Sequence, residues 1–198
     1  MPNLFIQTFI KLFFLLTPFA VVSTFLSLTR GMDGRRRRSA AVRMTGAIAV
    51  FTIALYLFGN GMFGIFGITV DSFRIGAGAL LFLNAISLVR GRDYYEVHDE
   101  QEDVAVVPLA MPVAVGPGTT GTLLVLGAEG QAINERIVCM AGLLAAVLVV
   151  GAMVYVAAAA DRFLRPRVMS MLSKLTGLVL SALAAQLIFT GVANFMKR

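Results

Sequence analysis

The chain has 198 residues, of which 58% are hydrophobic and only 14% charged, with a mean hydropathy of +0.84 and a formal charge of +6. Soluble domains run nearer about 45–50% apolar, so this is the composition of a bilayer protein. The basic excess lies in short connections, with no RNA-binding motif or aromatic–basic stripe, which argues against a nucleic-acid partner.

Apolar runs of bilayer length, about 20 residues each, predict six transmembrane helices. They fall near Leu4–Leu28, Met44–Phe66, Phe73–Val89, Val104–Leu126, Val138–Ala160 and Val168–Phe195. The first has no basic n-region and no small-residue cleavage site, so it reads as a span and not a signal peptide. The RRRR run after it, Arg35–Arg38, reads as a topology anchor beside anionic lipid heads. The second span carries GNGMFG (Gly59–Gly64) and the third GAG, where Gly76 and Gly78 suit close helix packing. Asn84 in the third span and Gln186 in the sixth suit interhelical hydrogen bonds or a cavity wall. Arg74 and Lys174, at span starts, are expected to snorkel, and Asp71 to pair with Arg74.

Between spans three and four lies RGRDYYEVHDEQED, with six of the eleven acidic residues. It divides the chain into a first three-helix repeat (1–90), an acidic linker (91–103) and a second repeat (104–198) within one membrane domain. PFAVVS (Pro18–Ser23) in span one echoes PVAVGP (Pro112–Pro117) in span four, and FRIGAGALL faintly echoes SKLTGLVLS. Three spans per half force the halves into opposite orientation, so the echo predicts an inverted-topology repeat. Twelve of the seventeen Lys and Arg fall on one side of this arrangement. By the positive-inside rule that side is cytoplasmic, with both termini away from it.

The fourth span is the informative one. MPVAVGPGTTG (Met111–Gly121) carries two prolines and three glycines inside an apolar run. Proline removes a backbone donor, and an unpaired peptide group in hydrocarbon costs several kcal/mol. The helix is therefore expected to break at Pro112–Gly118, as span one breaks at Pro18, both near the midplane. Half-helix N-termini expose N–H groups and partial positive charge suited to a carboxylate, and freed carbonyls suit an ammonium. The candidate binding residues are Thr17, Pro18, Ser23 and Thr24 from span one, with Pro112, Gly116, Pro117, Gly118, Thr119 and Thr120 from span four. The ligand this suits is a small zwitterionic solute. A homo-oligomer stays open, and no cofactor or metal is expected.

Cys139 and His98 are the only residues of their types, so no internal disulfide, cysteine cluster or histidine dyad can form. No Asp or Glu lies deep in a span, so the usual proton-carrying carboxylate of pumps is missing. Without a nucleophile and base in the spans, an intramembrane enzyme is not expected.

VPLAMPVAVGPGTT (Val107–Thr120) resembles the most recognisable motif of the MarC family of prokaryotic inner-membrane proteins. FGITVDSFRIGAGALLFLNAISLV (Phe66–Val89) resembles that family's third-span motif. The LTP…FLSLTRGM segment of span one and LTGLVLSALAAQLIFTGV of span six are similar to its pattern, so the likeness covers nearly the whole chain. Many members have an acidic or Asn residue before the first proline, then Gly-Asn and a second proline. Here those places hold Thr17, Ala20, Val21 and Ser23. Neither a substrate preference nor an ion site carries over there by resemblance. The resemblance implies two inverted three-helix repeats and an exporter or exchanger (antiporter) of small neutral amino acids such as glycine and alanine. The rivals are a drug or other-solute exporter and a non-transporting assembly or regulatory protein.

Overall fold

The structure, a computed structural model, describes residues 2–91, 115–129, 132–159 and 166–197. Within them the chain forms α1 (Pro2–Leu15), α2 (Pro18–Leu28), α3 (Gly34–Phe66), α4 (Val70–Arg90), α5 (Pro117–Ala128), α6 (Ile133–Ala159) and α7 (Pro166–Met196), with no strand among the described residues. Five described segments are long and apolar enough to cross a bilayer: Pro2–Leu28, Gly34–Gly59, Val70–Arg90, Ile133–Ala159 and Arg167–Met196. The acidic linker beyond Gly91 and the first half of the expected fourth span, including Pro112, lie outside the described residues. Of that span α5 remains. Its 12 residues reach about 18 Å at 1.5 Å per residue, too short for ~30 Å of hydrocarbon.

Local chemistry sets the helix ends. α3 stops at Gly67, which takes a left-handed φ of 63°. Two residues later Thr69 caps α4, its hydroxyl accepting from the Ser72 N–H at 3.2 Å, and Asp71 lies in the favourable first turn. Gly91 closes α4 with a φ of 69°. α3 begins ten residues before the expected Met44, because arginine is a good helix former and hydropathy registers lipid, not helix. The arginine run is thus helical. Arg37 turns inward, buried, with Nε donating to the Thr29 hydroxyl at 3.0 Å, so the tetrad is not purely a lipid-facing anchor.

α4 and α7 pack antiparallel through small residues spaced by sevens. Asp71, Gly78 and Ala85 on α4 meet Gly191, Ala184 and Gly177 on α7. A β-carbon at Gly78 would stand 2.9 Å from the Ala184 carbonyl oxygen, and one at Gly191 2.8 Å from that of Asp71. Only hydrogen fits, and the backbones approach closely. α5 is wedged between α3 and α4 in the same way. Gly127 lies against the Tyr56 carbonyl, Gly121 against Ala77, and Gly118 against the Leu81 backbone. The core gathers Leu15, Leu16, Val21 and Phe25 with Met44 and Ile48 of α3 and Leu143, Val147 and Val150 of α6. Outside it, Phe58, Ile65, Leu148 and Phe189 are exposed. In water such a surface would aggregate; in lipid it is the solvated one.

Candidate functional site

Span one is interrupted at the predicted place. Pro18 has no N–H for the Phe14 carbonyl, and that oxygen instead accepts from Thr17 N at 3.0 Å in a tighter turn. Thr17 then swings to φ 46°, ψ 57°, the one non-glycine residue at positive φ among the described residues. For a β-branched residue this conformation costs about 1–3 kcal/mol. α2 restarts with Pro18 at its first position, where a missing donor costs nothing.

α5 opens by the same chemistry. Gly116 is extended, Pro117 follows, and Thr120 N returns to the Gly116 carbonyl at 2.8 Å. Neither half-helix start is capped by a side chain. The break in span one meets the start of α5: the Thr119 hydroxyl donates to the Leu15 carbonyl at 3.1 Å, both residues buried. Because Gly118 rests on Leu81, this junction lies level with the middle of α4.

The remaining candidates separate by burial. Thr17, Pro18, Gly116, Gly118 and Thr119 are buried, Thr24 and Thr120 half-buried, and Ser23 and Pro117 exposed. Gly78 contacts α7, whereas a β-carbon at Gly76 would meet nothing within 4 Å among the described residues. Asn84 is half-buried.

A cavity of about 270 Å³ stands above the junction, in the half of the molecule that holds the N-terminus. Its apolar floor is Leu12, Leu15, Leu81 and Val125, and its polar wall is Gln7, Thr8, Lys11, Arg74, Thr122, Glu129, Gln186 and Thr190. Leu15 joins the two features, lining the cavity while its carbonyl receives Thr119. Of the described candidate residues only Gln186 reaches the cavity wall.

Arg74 does not snorkel. It is 7% exposed. Nη1 donates to Asp71 Oδ1 at 2.9 Å and Nη2 to Glu129 Oε1 at 2.7 Å, while Asn194 Nδ2 donates to Asp71 Oδ1 at 3.2 Å. The Asp71–Arg74 pair was expected; Glu129 as its third member was not, because it follows α5 directly and reads as a connection residue. Gln7 and Lys11 were also passed over, although two polar residues four apart inside an apolar run put a polar stripe on one helix face. No group of three His, Cys, Asp or Glu able to hold a metal occurs among the described residues.

Long apolar helices, a lipid-matched exterior and a helix interrupted within the interior define a multi-pass helical membrane protein. The chain belongs to the MarC family: the model of that family, described as MarC family integral membrane protein, matches residues 2–196. It is 30% identical to a UPF0056 membrane protein of Methanocaldococcus jannaschii, over 95% of each chain. It is 28% identical to the UPF0056 membrane protein YvbG of Bacillus subtilis, over 94% of this chain and 93% of that one. YhcE of Escherichia coli, another UPF0056 membrane protein, is 28% identical over 95% of this chain and 91% of its own. No solved structure matches.

Proposed function

We propose that this chain is a secondary transporter that exports or exchanges small neutral amino acids of the glycine and alanine class by alternating access. The observation that carries the reading is the junction of two half-helix ends, Thr119 on Leu15, directly beneath a small polar-walled cavity. In this reading uncapped N–H groups at the starts of α2 and α5 take the solute carboxylate. Because the Leu12, Phe14 and Leu15 carbonyls already accept from Leu16, Thr17 and Thr119, the ammonium takes one of them only when the junction opens. Irregular backbone is tolerated there because it faces protein and cavity. We further assign the chain six spans in two inverted repeats, with both termini away from the cytoplasm. In support, α2 restarts on Pro18 and α5 begins on Pro117, each partway along an apolar run of the sequence.

The cavity of about 270 Å³ lies at the lower edge of the range of about 300–1,000 Å³ for ligand sites in general, so flux of different solute classes, not size, separates this reading from a drug exporter. Purified protein in proteoliposomes loaded with unlabelled alanine is expected to accumulate labelled alanine or glycine by counterflow. Uptake equal to that of empty vesicles, with another solute class active, would refute the amino-acid assignment. A stoichiometric partner on purification, with no flux of any solute, would favour an assembly role.

A further inference from the structure

The Arg74–Glu129 pair on the cavity wall is separate from the junction of α1 and α5, and its two carboxylate partners are unequal. Asp71 is a fixed partner. Its side chain is 12% exposed, it occupies the first turn of α4, where the helix dipole favours an anion, and Asn194 holds the same oxygen. Glu129 is the opposite case. Its side chain is 40% exposed and it stands at the C-terminal end of α5, where the dipole disfavours an anion. One arginine thus has one carboxylate locked behind it on Nη1 and a looser one in front, on Nη2, where the cavity lies.

We propose that this pair is a vestibule site for a zwitterionic α-amino acid, occupied before the solute reaches the junction. The solute carboxylate takes Arg74 Nη2 from Glu129, and the released Glu129 carboxylate accepts the solute ammonium. One ion pair becomes two; Lys11, the other cation on the wall, adds attraction for a carboxylate, while Glu129 is the wall's acceptor for an ammonium among the described residues. A carboxylate lacking the amine displaces Glu129 without giving it a partner, and an amine lacking the carboxylate leaves Nη2 empty. Each half of the zwitterion alone therefore loses the exchange, because an uncompensated charge at a partly desolvated site is the costly state. Asp71 acts here as a positioning residue, keeping the guanidinium turned so that Nη2 faces the cavity. The inference rests on the amino-acid reading above and adds to it the residues that select the zwitterion.

The test compares thermal stabilisation of the purified full chain by alanine, propionate and ethylammonium at equal concentration. For the wild type, alanine alone is expected to stabilise. Glu129→Gln is expected to need at least about tenfold more alanine for half-maximal stabilisation, a loss of about 1.4 kcal/mol, and to become stabilised by propionate. That gain is one a purely structural residue would not produce. Glu129→Asp, which keeps the charge, is expected to retain the preference for alanine. Three results each overturn the vestibule: no alanine effect on the wild type, equal effects of alanine and propionate on it, or an unchanged alanine requirement in Glu129→Gln. Wild-type alanine counterflow, measured alongside, tests transport on its own. Flux with an unaltered Glu129→Gln removes only the vestibule, and binding without flux removes only transport.

Discussion

The Thr119 hydroxyl bonds the Leu15 carbonyl across 104 residues of sequence, at 3.1 Å. One side-chain donor thereby satisfies a carbonyl of the last turn of α1, which has no intrahelical partner. The bond also ties the start of α5 to the end of α1, so these two helix ends move as a unit or the bond breaks. Thr119→Val removes the donor and leaves a buried oxygen unsatisfied, a cost of about 1–3 kcal/mol. A lower melting temperature and reduced counterflow are expected, and Thr119→Ser, which keeps the hydroxyl, should recover both. Wild-type stability in Thr119→Val would show that water or a shifted backbone satisfies Leu15 instead.

The α4–α7 seam makes a sharper distinction between two glycines two positions apart. Gly78 faces the Ala184 carbonyl and Ile188, while Gly76 faces open space. Gly78→Val must force the helices apart, with overpacking costs of about 1–3 kcal/mol or more. Gly76→Ala adds a methyl that meets nothing and removes a helix-interior glycine, worth roughly 0.5–1 kcal/mol in the stabilising direction. Melting of the purified variants in detergent should move in opposite directions. Equal destabilisation by both would mean that Gly76 packs against a second copy of the chain.

The charge cluster predicts an unequal response to losing either acid. Asp71→Ala takes the locked partner from a buried guanidinium, and removing one member of a buried pair costs about 3–5 kcal/mol. Glu129→Ala removes a partner that is 40% exposed, where solvent screening limits the loss to about 1 kcal/mol or less. The melting temperature of Asp71→Ala should therefore fall clearly further. The reverse order would identify Glu129 as the fixed partner.

How much of this was legible in the sequence depends on the distance over which each feature is encoded. Pro18 and Pro117 act within one helical turn, so the restart of α2 and the start of α5 within the expected Pro112–Gly118 stretch are local features of the sequence. The length of α3 could not, because Arg35–Arg43 extend a helix without extending an apolar run. The cavity was out of reach for another reason. Its wall draws on five helices, and their rotation is set by contacts such as Gly78 on Ala184 and Gly121 on Ala77, which join residues far apart in the chain. Glu129 gave no local signal of its own. Its role arises because α5 and α4 run antiparallel, bringing residue 129 level with residue 74. Arg74 could have been suspected of more than snorkelling, since Asp71 lies one turn before it on the same face.

Thr17 offers a way to separate backbone strain from side-chain chemistry at the break. Its φ of 46° is one that glycine adopts without penalty and a β-branched residue does not. Thr17→Gly should release part of the strain, roughly 1 kcal/mol after allowing for the greater freedom of glycine in the unfolded chain. The melting temperature is then expected to rise. Thr17→Val keeps the branching and the strain but removes the hydroxyl, so stability should stay near that of the wild type. If the Thr17 hydroxyl meets the solute, both variants lose counterflow although their stabilities move apart, because each lacks the oxygen. If Thr17→Gly is slower and Thr17→Val transports normally, the strained backbone is what transport needs, with the stored energy helping the two half-helices change their relative angle. Normal flux in both would remove Thr17 from the site and leave its conformation as a consequence of Pro18 alone.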